Sequence, residues 1–439
     1  MPKLAFDFEW IDPADAKGPE LRATWARLQI SVDGQPVTRL IDDVSRSVRS
    51  SVFLPIYPLA EWLVTNWWFL LHETQAPGKT FSRDYWHRHN LRYAGEGFAL
   101  PALSVVPTGA TILLDWRPVH LTVQRVEFTE KGAAYIDVEE FRRTVADTVT
   151  AVLGRLAEYN VRETLLAQEW EAITNATEQE GEFCAATAAL GLDPYAIGDP
   201  EGHDILEVSE SLPSPVVEDF FAAAEFQHLR ERAHQVLAGI ESSRANRADL
   251  KPLKELKGET LHRLLVPDLP WHQGYRFARI LRERLSLDGE RLNSLNALGG
   301  ALRLKPIELQ AAISQLTGPS GAFDVVVDVN PLNSPGFAIS TSKNREEALR
   351  FAFCRGIFEY LTTPPGQPLL VTRALLERQQ RNRAFAAEFL VPAASLKDLL
   401  RGDSVSGEEI EDLAAEFGVS PLVVRHQLEN HHLARILDE

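Results

Sequence analysis

The chain has 439 residues, 45 Lys or Arg against 62 Asp or Glu, and two cysteines, Cys184 and Cys354. An apolar fraction of 45% with 24% charged residues is that of a globular chain with large cores, which excludes wholesale disorder, and two cysteines cannot build a disulfide scaffold or a cysteine-rich zinc site. The net charge of −17 opposes indiscriminate binding to a phosphate backbone.

The opening MPKLAFDFEW has no basic segment leading into an apolar one, so no signal peptide is expected. Residues 1–135 predict a mixed α/β domain. LAFDFEW, ARLQISVDG, PVTRLID, TILLDW and LTVQRVEF are short alternating runs rich in aromatic and β-branched residues. One helix, 59–72, interrupts them. It carries Trp62, Trp67, Trp68 and Phe69 and is apolar nearly all round, so it belongs in a core or an aromatic pocket. The apolar window 52–71 contains Pro55, Pro58, Glu61 and Asn66, and so reads as a buried helix rather than a membrane span. The expected location is cytoplasmic.

Residues 136–270 predict a helical domain, opening with a long helix over 138–175. Its charges are segregated. Between 156 and 225 there are 16 acidic residues and one basic, Arg162; between 226 and 310 there are 15 basic and ten acidic. Two attracting helical faces, an acidic surface for a basic partner, or one that mimics nucleic acid all fit this pattern. Residues 271–439 predict a third domain. It has an amphipathic helix over 271–285 with Arg276, Arg279 and Arg282 on its polar side, a strand FDVVVDVN, and a helix over 346–361.

A pattern recurs three times: a helix, a tight corner, then a proline opening a second helix. The copies are AATAALGLDPYAI, LGGALRLKPIELQAAI and LAAEFGVSPLVVRHQL. Proline suits the first turn of a helix, where its missing N–H costs nothing. The last copy also has the outline of a helix-turn-helix, whose second helix would offer Arg425, His426, Gln427 and Asn430 to a partner or to DNA.

Two segments, RFAFCRGIFEYL (350–361) and RAFAAEFLVP (383–392), followed by the tail EEIEDLAAEFGVSPLVVRHQLEN, resemble the ImmA/IrrE family of zincin-type bacterial metallo-endopeptidases. Over 271–439 the resemblance implies a zincin-like, mostly helical domain, giving an α+β multidomain chain overall. It also implies a setting in mobile elements, phage defence or stress regulation, and zinc as the family cofactor. A zincin holds its metal with two histidines at i and i+4, and a glutamate beside the first histidine polarises the bound water. Here those positions are Arg355, Glu359 and Gly356. The third-ligand region, Arg378 to Asn382, offers no carboxylate. The expectation is a domain with no zinc and no catalytic residues, in which Arg355 and Glu359, one turn apart, form an ion pair.

The other candidates resolve into packing. His426, His431 and His432 do not share one helix face, though a metal site with Glu388 or Glu359 is an alternative. His87 and His89 are two residues apart; His262 and His272 flank an apolar run; Cys354 and Cys184 read as core. No glycine-rich loop has the spacing of a phosphate cradle. The preferred reading is a regulatory or scaffolding protein that binds a protein partner. The alternatives are a metallo-endopeptidase with a rebuilt metal site and a DNA-binding regulator using the last helix.

Overall fold

The computed structural model describes residues 3–12, 16–74, 82–245, 269–316, 323–330, 336–363 and 367–437. Helices and strands mix throughout, and the chain divides into two compact units, Met1–Ile205 and Leu206–Glu439. The stretch 136–270 is thus shared between them, and His262 lies outside the described residues. No described helix is long and apolar enough to cross a membrane.

The first unit carries three antiparallel sheets. In the first, β1 (Leu4–Trp10) and β2 (Trp25–Val32) pair with Phe6 opposite Ile30, and β3 (Gln35–Pro36) and β6 (Val52–Pro55) flank β2 on its other side. The second runs β5 (Ser47–Arg49), β4 (Leu40–Asp42), β10 (Val126–Phe128), β9 (Val119–Leu121). The third runs β11 (Gly132–Asp137), β8 (Thr111–Arg117), β7 (Ala102–Pro107). Alternation is clean where one face is buried: in β2 Ala26, Leu28 and Ile30 are fully buried. Helices α1 (Pro19–Ala23), α2 (Tyr57–Thr65), α3 (Trp67–His72), α4 (Arg83–His89), α5 (Val138–Glu158), α6 (Leu165–Asn175) and α7 (Glu178–Ala189) complete it, and α8 (Asp199–Ser211) contains the divide.

Two long predicted helices are each broken, and for local reasons. At Asn66 the amide side chain donates to Trp62 O at 2.8 Å, competing with the helix ladder, so α2 ends and α3 begins. At Asn160 the chain takes the left-handed conformation (φ 62°), and Thr164 then caps α6 by accepting from Ala167 N. The core-facing stripe of α5 is Phe141, Val145, Val149, Val152 and Leu156, at helical three-and-four spacing. Trp67 and Trp116 are buried, whereas Trp62 and Trp68 are half-buried and donate their indole N–H to His87 O and Tyr195 Oη.

The second unit is built on a four-stranded sheet in the order β12 (Ile313–Gln315), β14 (Gly336–Thr341), β13 (Phe323–Asn330), β15 (Pro368–Thr372), with β12 parallel to β14 and the rest antiparallel. Around it lie α9 (Ser214–Phe221), α10 (Leu229–Ala245), α11 (Pro270–Arg284), α12 (Leu295–Ala301), α13 (Pro306–Ala311), α14 (Glu346–Thr362), α15 (Glu377–Leu390), α16 (Ala393–Leu399), α17 (Gly407–Phe417) and α18 (Pro421–Asn430). A parallel pair, β16 (Ser404–Val405) and β17 (Arg435–Ile436), closes the chain. Buried aromatics knit the core: Phe277, Phe358 and Phe385 meet with ring centroids 5.2–5.6 Å apart. The polar stripe expected on α11 is incomplete. Arg282 is buried and donates to three main-chain carbonyls, Phe389 O, Leu287 O and Glu290 O.

The recurrent corner has one geometry in all three copies. Gly191, Arg303 and Gly418 each adopt positive φ (76°, 57° and 62°), and the next residue donates back to the carbonyl five positions earlier: Leu192 to Thr187, Leu304 to Gly299, Val419 to Ala414. This is the left-handed helix end that satisfies orphan carbonyls. Pro306 and Pro421 open true helices, but after Pro194 there is only a turn, so the first copy lacks its second helix. A Cβ on Gly418 would lie 2.5 Å from Asn293 O, so glycine is required there. Arg303 is exposed and holds the same conformation at a cost of about 1–2 kcal/mol. Glycine would relieve that cost and give back about 0.5–1 kcal/mol in chain entropy. Arg303→Gly is therefore expected to stabilise the second unit by up to about 1 kcal/mol, read as a higher urea midpoint; an unchanged or lower midpoint refutes the strain at this corner.

Candidate functional site: a buried polar network

Helix α14 is buried from Ala352 to Leu361, and this places Arg355, Gly356 and Glu359 inside the second unit. The guanidinium of Arg355, 2% exposed, donates from Nε to Asn382 Oδ1 (2.7 Å) and from Nη2 to Thr372 O (2.6 Å) and Gln379 Oε1 (2.9 Å). Asn382 then donates from Nδ2 to Glu359 Oε1 at 2.6 Å. The link expected between Arg355 and Glu359 thus runs through an amide, and the carboxylate's other oxygen faces Arg378 Nη1 at 2.8 Å. Burial pushes the Glu359 carboxyl up, to about 7, outweighing the Asn382 bond and the Arg355 charge. The stabilisation from taking up this proton is fully present below the ordinary carboxyl value and is lost as pH rises through about 7.

Gln379 is the hub. Its Oε1 accepts from Thr372 N (3.0 Å) as well as from Arg355, and its Nε2 donates to Leu370 O (2.9 Å) and Asp219 Oδ1 (2.7 Å). β15 ends the sheet, and Leu370 and Thr372 turn these groups outward. The side-chain amide therefore meets an N–H and a C=O of the strand as a neighbouring strand's peptide would. Arg378 adds a second donor to Leu370 O at 2.9 Å and pairs with Asp219 on α9. Phe220, next on α9, stacks on Phe323 at 5.0 Å, so the helix carrying Asp219 is fixed in the core.

Nothing in this arrangement resembles an open metal position. A dication needs several anionic or neutral donors converging on one point. Here a guanidinium stands among them, and its partners are amides and a carbonyl. Among the described residues no group of three or more His, Cys, Asp or Glu converges to hold a metal. Cys354 is fully buried, and burial pushes its thiol well up; the guanidinium groups acting on it are Arg350 and Arg282 rather than Arg355. Burial likewise lifts the Cys184 thiol to about 11.

A second cluster joins α15, α11 and α18. Glu388, 1% exposed, accepts from Arg279 Nε (2.7 Å) and Gln427 Nε2 (2.9 Å), and His431 Nε2 lies 3.2 Å from its Oε2. Gln427 also donates to Val391 O. Of the four residues read as a partner or DNA face, Gln427 is thus fully buried and committed to the core. Asn430 donates to Tyr275 Oη at 3.1 Å, Arg425 is half-buried, and His426 is exposed beside Glu429. Burial raises the Glu388 carboxyl, but the bonds from His431, Arg279 and Gln427 outweigh it and hold it below the ordinary value. The sign is then opposite to that of Glu359. The stabilisation is complete above the ordinary carboxyl value and is lost as pH falls through the lowered one. Glu388→Gln should flatten the acid limb of a stability-against-pH curve taken below about pH 4.5, where this carboxyl takes up its proton; an acid limb as steep as wild type would remove Glu388 from the account.

Sequence reasoning found Arg355 and Glu359 and missed Gln379, Thr372 and Asp219. The polar run Arg378 to Asn382 was the available signal, because a helix so placed puts one turn of it inward. Asp219 gave none, lying 160 residues from Gln379. No protein-family model, curated protein or solved structure matches the chain.

Proposed function

We propose that the second unit is a zincin-like domain of the ImmA/IrrE type that has exchanged its metal centre for a structural network, and that the protein works by binding a partner rather than by hydrolysis. The observation that carries this reading is Arg355. At the position where the family holds its first histidine, a buried guanidinium is bonded to Asn382, Gln379 and Thr372. A guanidinium cannot be deprotonated at physiological pH, so it cannot become a ligand. Gly356, at the general-base position, has no side chain with which to activate water.

The closed edge of β15 supports the same reading. A peptide that adds to a sheet does so through the strand's outward N–H and C=O groups, and the Leu370 C=O and the Thr372 N–H and C=O are occupied by Gln379, Arg378 and Arg355. The regulatory role, and its setting among mobile elements or phage defence, rest on the resemblance of the two motif segments.

The deciding measurement is the metal content of the full chain purified without a metal-binding tag, paired with a proteolysis assay. Neither zinc nor chelator-sensitive cleavage is expected. Stoichiometric zinc, or cleavage abolished by Glu359→Ala or Glu388→Ala, would replace this reading with a working metallo-endopeptidase.

A further inference from the structure

In the first unit, one sheet edge is left open. β1 pairs with β2 on one side only. Asp33 N donates to Lys3 O (2.7 Å) and Ile11 N to Trp25 O (3.0 Å) at its two ends. Bonding alternates along an antiparallel pair, so the odd-numbered residues between them turn their N–H and C=O toward β2, and the even-numbered ones turn theirs outward. Leu4 O accepts from Thr144 Oγ1 on α5 at 3.4 Å. The outward groups of Phe6, Phe8 and Trp10 have no hydrogen-bond partner among the described residues.

None of the usual guards stands on this edge. The strand runs seven residues, its register with β2 is unbroken, and the three open rungs carry neither proline nor lysine. β15, by contrast, has its outer groups taken by side chains. The two faces of β1 differ in chemistry. Phe6, Phe8 and Trp10 lie half-buried on one face, with the Phe8 and Trp10 rings 4.9 Å apart and the Arg155 guanidinium over Trp10. Asp7 and Glu9 are exposed on the other. Glu9 pairs with Arg27 across the sheet at 2.8 Å, whereas Asp7 sits opposite the neutral Gln29 and has no ion pair among the described residues.

We propose that the outer edge of β1 takes an extended peptide as an added strand, one in which basic residues alternate with apolar ones. Main-chain bonds to Phe6, Phe8 and Trp10 hold the backbone. An antiparallel strand bonded to those residues leaves Asp7 at a non-hydrogen-bonded position, where opposed side chains come closest. A cation is favoured there, and the apolar residues between fall beside the aromatic row. A second copy of β1 does not fit. Each antiparallel register that engages two or more of the three rungs from both copies sets Asp7 against Asp7, Asp7 against Glu9, or Glu9 against Glu9, and like charges so opposed repel. This partner chemistry rests on the binding role proposed above for there being a partner at all.

The test titrates the full chain with a short synthetic peptide of alternating lysine and valine, and with its glutamate–valine counterpart. With the lysine peptide at about ten times its Kd, the Phe6, Phe8 and Trp10 amides should exchange about tenfold more slowly, while those of Ala5, Asp7 and Glu9, already bonded to β2, change little. Asp7→Lys should weaken the lysine peptide about fivefold. Glu127→Lys, the same charge change on the exposed face of another sheet, should leave it unaltered. Unslowed exchange at the three amides, equal binding of the glutamate peptide, equal loss in both variants, or protection of the same amides by dimerisation without peptide would each overturn the proposal. The exchange pattern decides the matter even if Asp7→Lys fails to fold. Zinc in the second unit would overturn the earlier reading and leave the β1 result untouched, so the two fail separately.

Discussion

Arg355→Ala is expected to cost the second unit about 3–5 kcal/mol, enough to unfold it in much of the population at 37 °C. The substitution removes three hydrogen bonds, and the loss of contact is the smaller part. Asn382 Oδ1, Gln379 Oε1 and Thr372 O all lie in the interior. Without Arg355, Asn382 Oδ1 and Thr372 O lose their donor while Gln379 Oε1 keeps Thr372 N, and buried acceptors left unmet cost about 1–3 kcal/mol apiece. Glu359 also loses a neighbouring positive charge. Lysine should rescue little, because one ammonium on a flexible stem cannot reproduce a planar fork spanning three acceptors. Urea denaturation of the full chain, with exchange of the β15 amides reporting on this unit, measures the effect. A loss below about 1 kcal/mol would mean that the network closes without its guanidinium.

Gly274→Ala should be nearly as damaging, although alanine is the better helix former by about 0.5–1 kcal/mol. Helices α11 and α15 touch backbone to backbone at this residue. A Cβ there would lie 2.3 Å from Arg381 O, 2.9 Å from Phe385 N and 2.8 Å from Ala384 Cβ. Two of those three atoms are main chain and cannot swing away, so the helices must separate, disturbing Arg279–Glu388 and Arg282–Phe389 further along the same contact. Overpacking of this kind costs about 3 kcal/mol, which outweighs the propensity gain. A lower thermal midpoint is expected, and Ala384→Gly in the same chain should not restore it, because the Arg381 carbonyl stays in place. Full recovery in that double variant would show that the side chain, and not the backbone, sets the distance.

The features legible in the sequence are those with local causes. The corners at Gly191, Arg303 and Gly418 follow from a proline three residues on and an apolar residue between, and they form alike in three places. The stripe on α5 and the alternation in β2 follow from periodicity. What failed to show was polar residues used as core. Arg282 and Gln427 read as surface because their partners are carbonyls on other segments, Phe389 O being 107 residues away and Val391 O 36. The breaks at Asn66 and Asn160 were hidden for a different reason. Asparagine inside a helical pattern costs little by propensity, and only the side-chain bond to Trp62 O or the positive φ reveals the break. At the candidate site the sequence singled out Arg355 and Glu359, which the structure buries in one network. It could not show that Asn382 would stand between Arg355 and Glu359, since a one-turn spacing fits a direct pair equally well.

The amide of Gln379 against β15 has a consequence for how molecules of this chain meet one another. A strand that ends a sheet normally invites another sheet to join it, and proteins resist this with charges, bulges or a covering loop. Here the resistance comes from one side chain lying in register with the strand, backed by two arginines. A neighbouring molecule finds the Leu370 carbonyl and both Thr372 groups already taken, which opposes the fusion of sheets on this side. Shortening that one glutamine would expose the rungs and turn a closed border into a place where copies could stack.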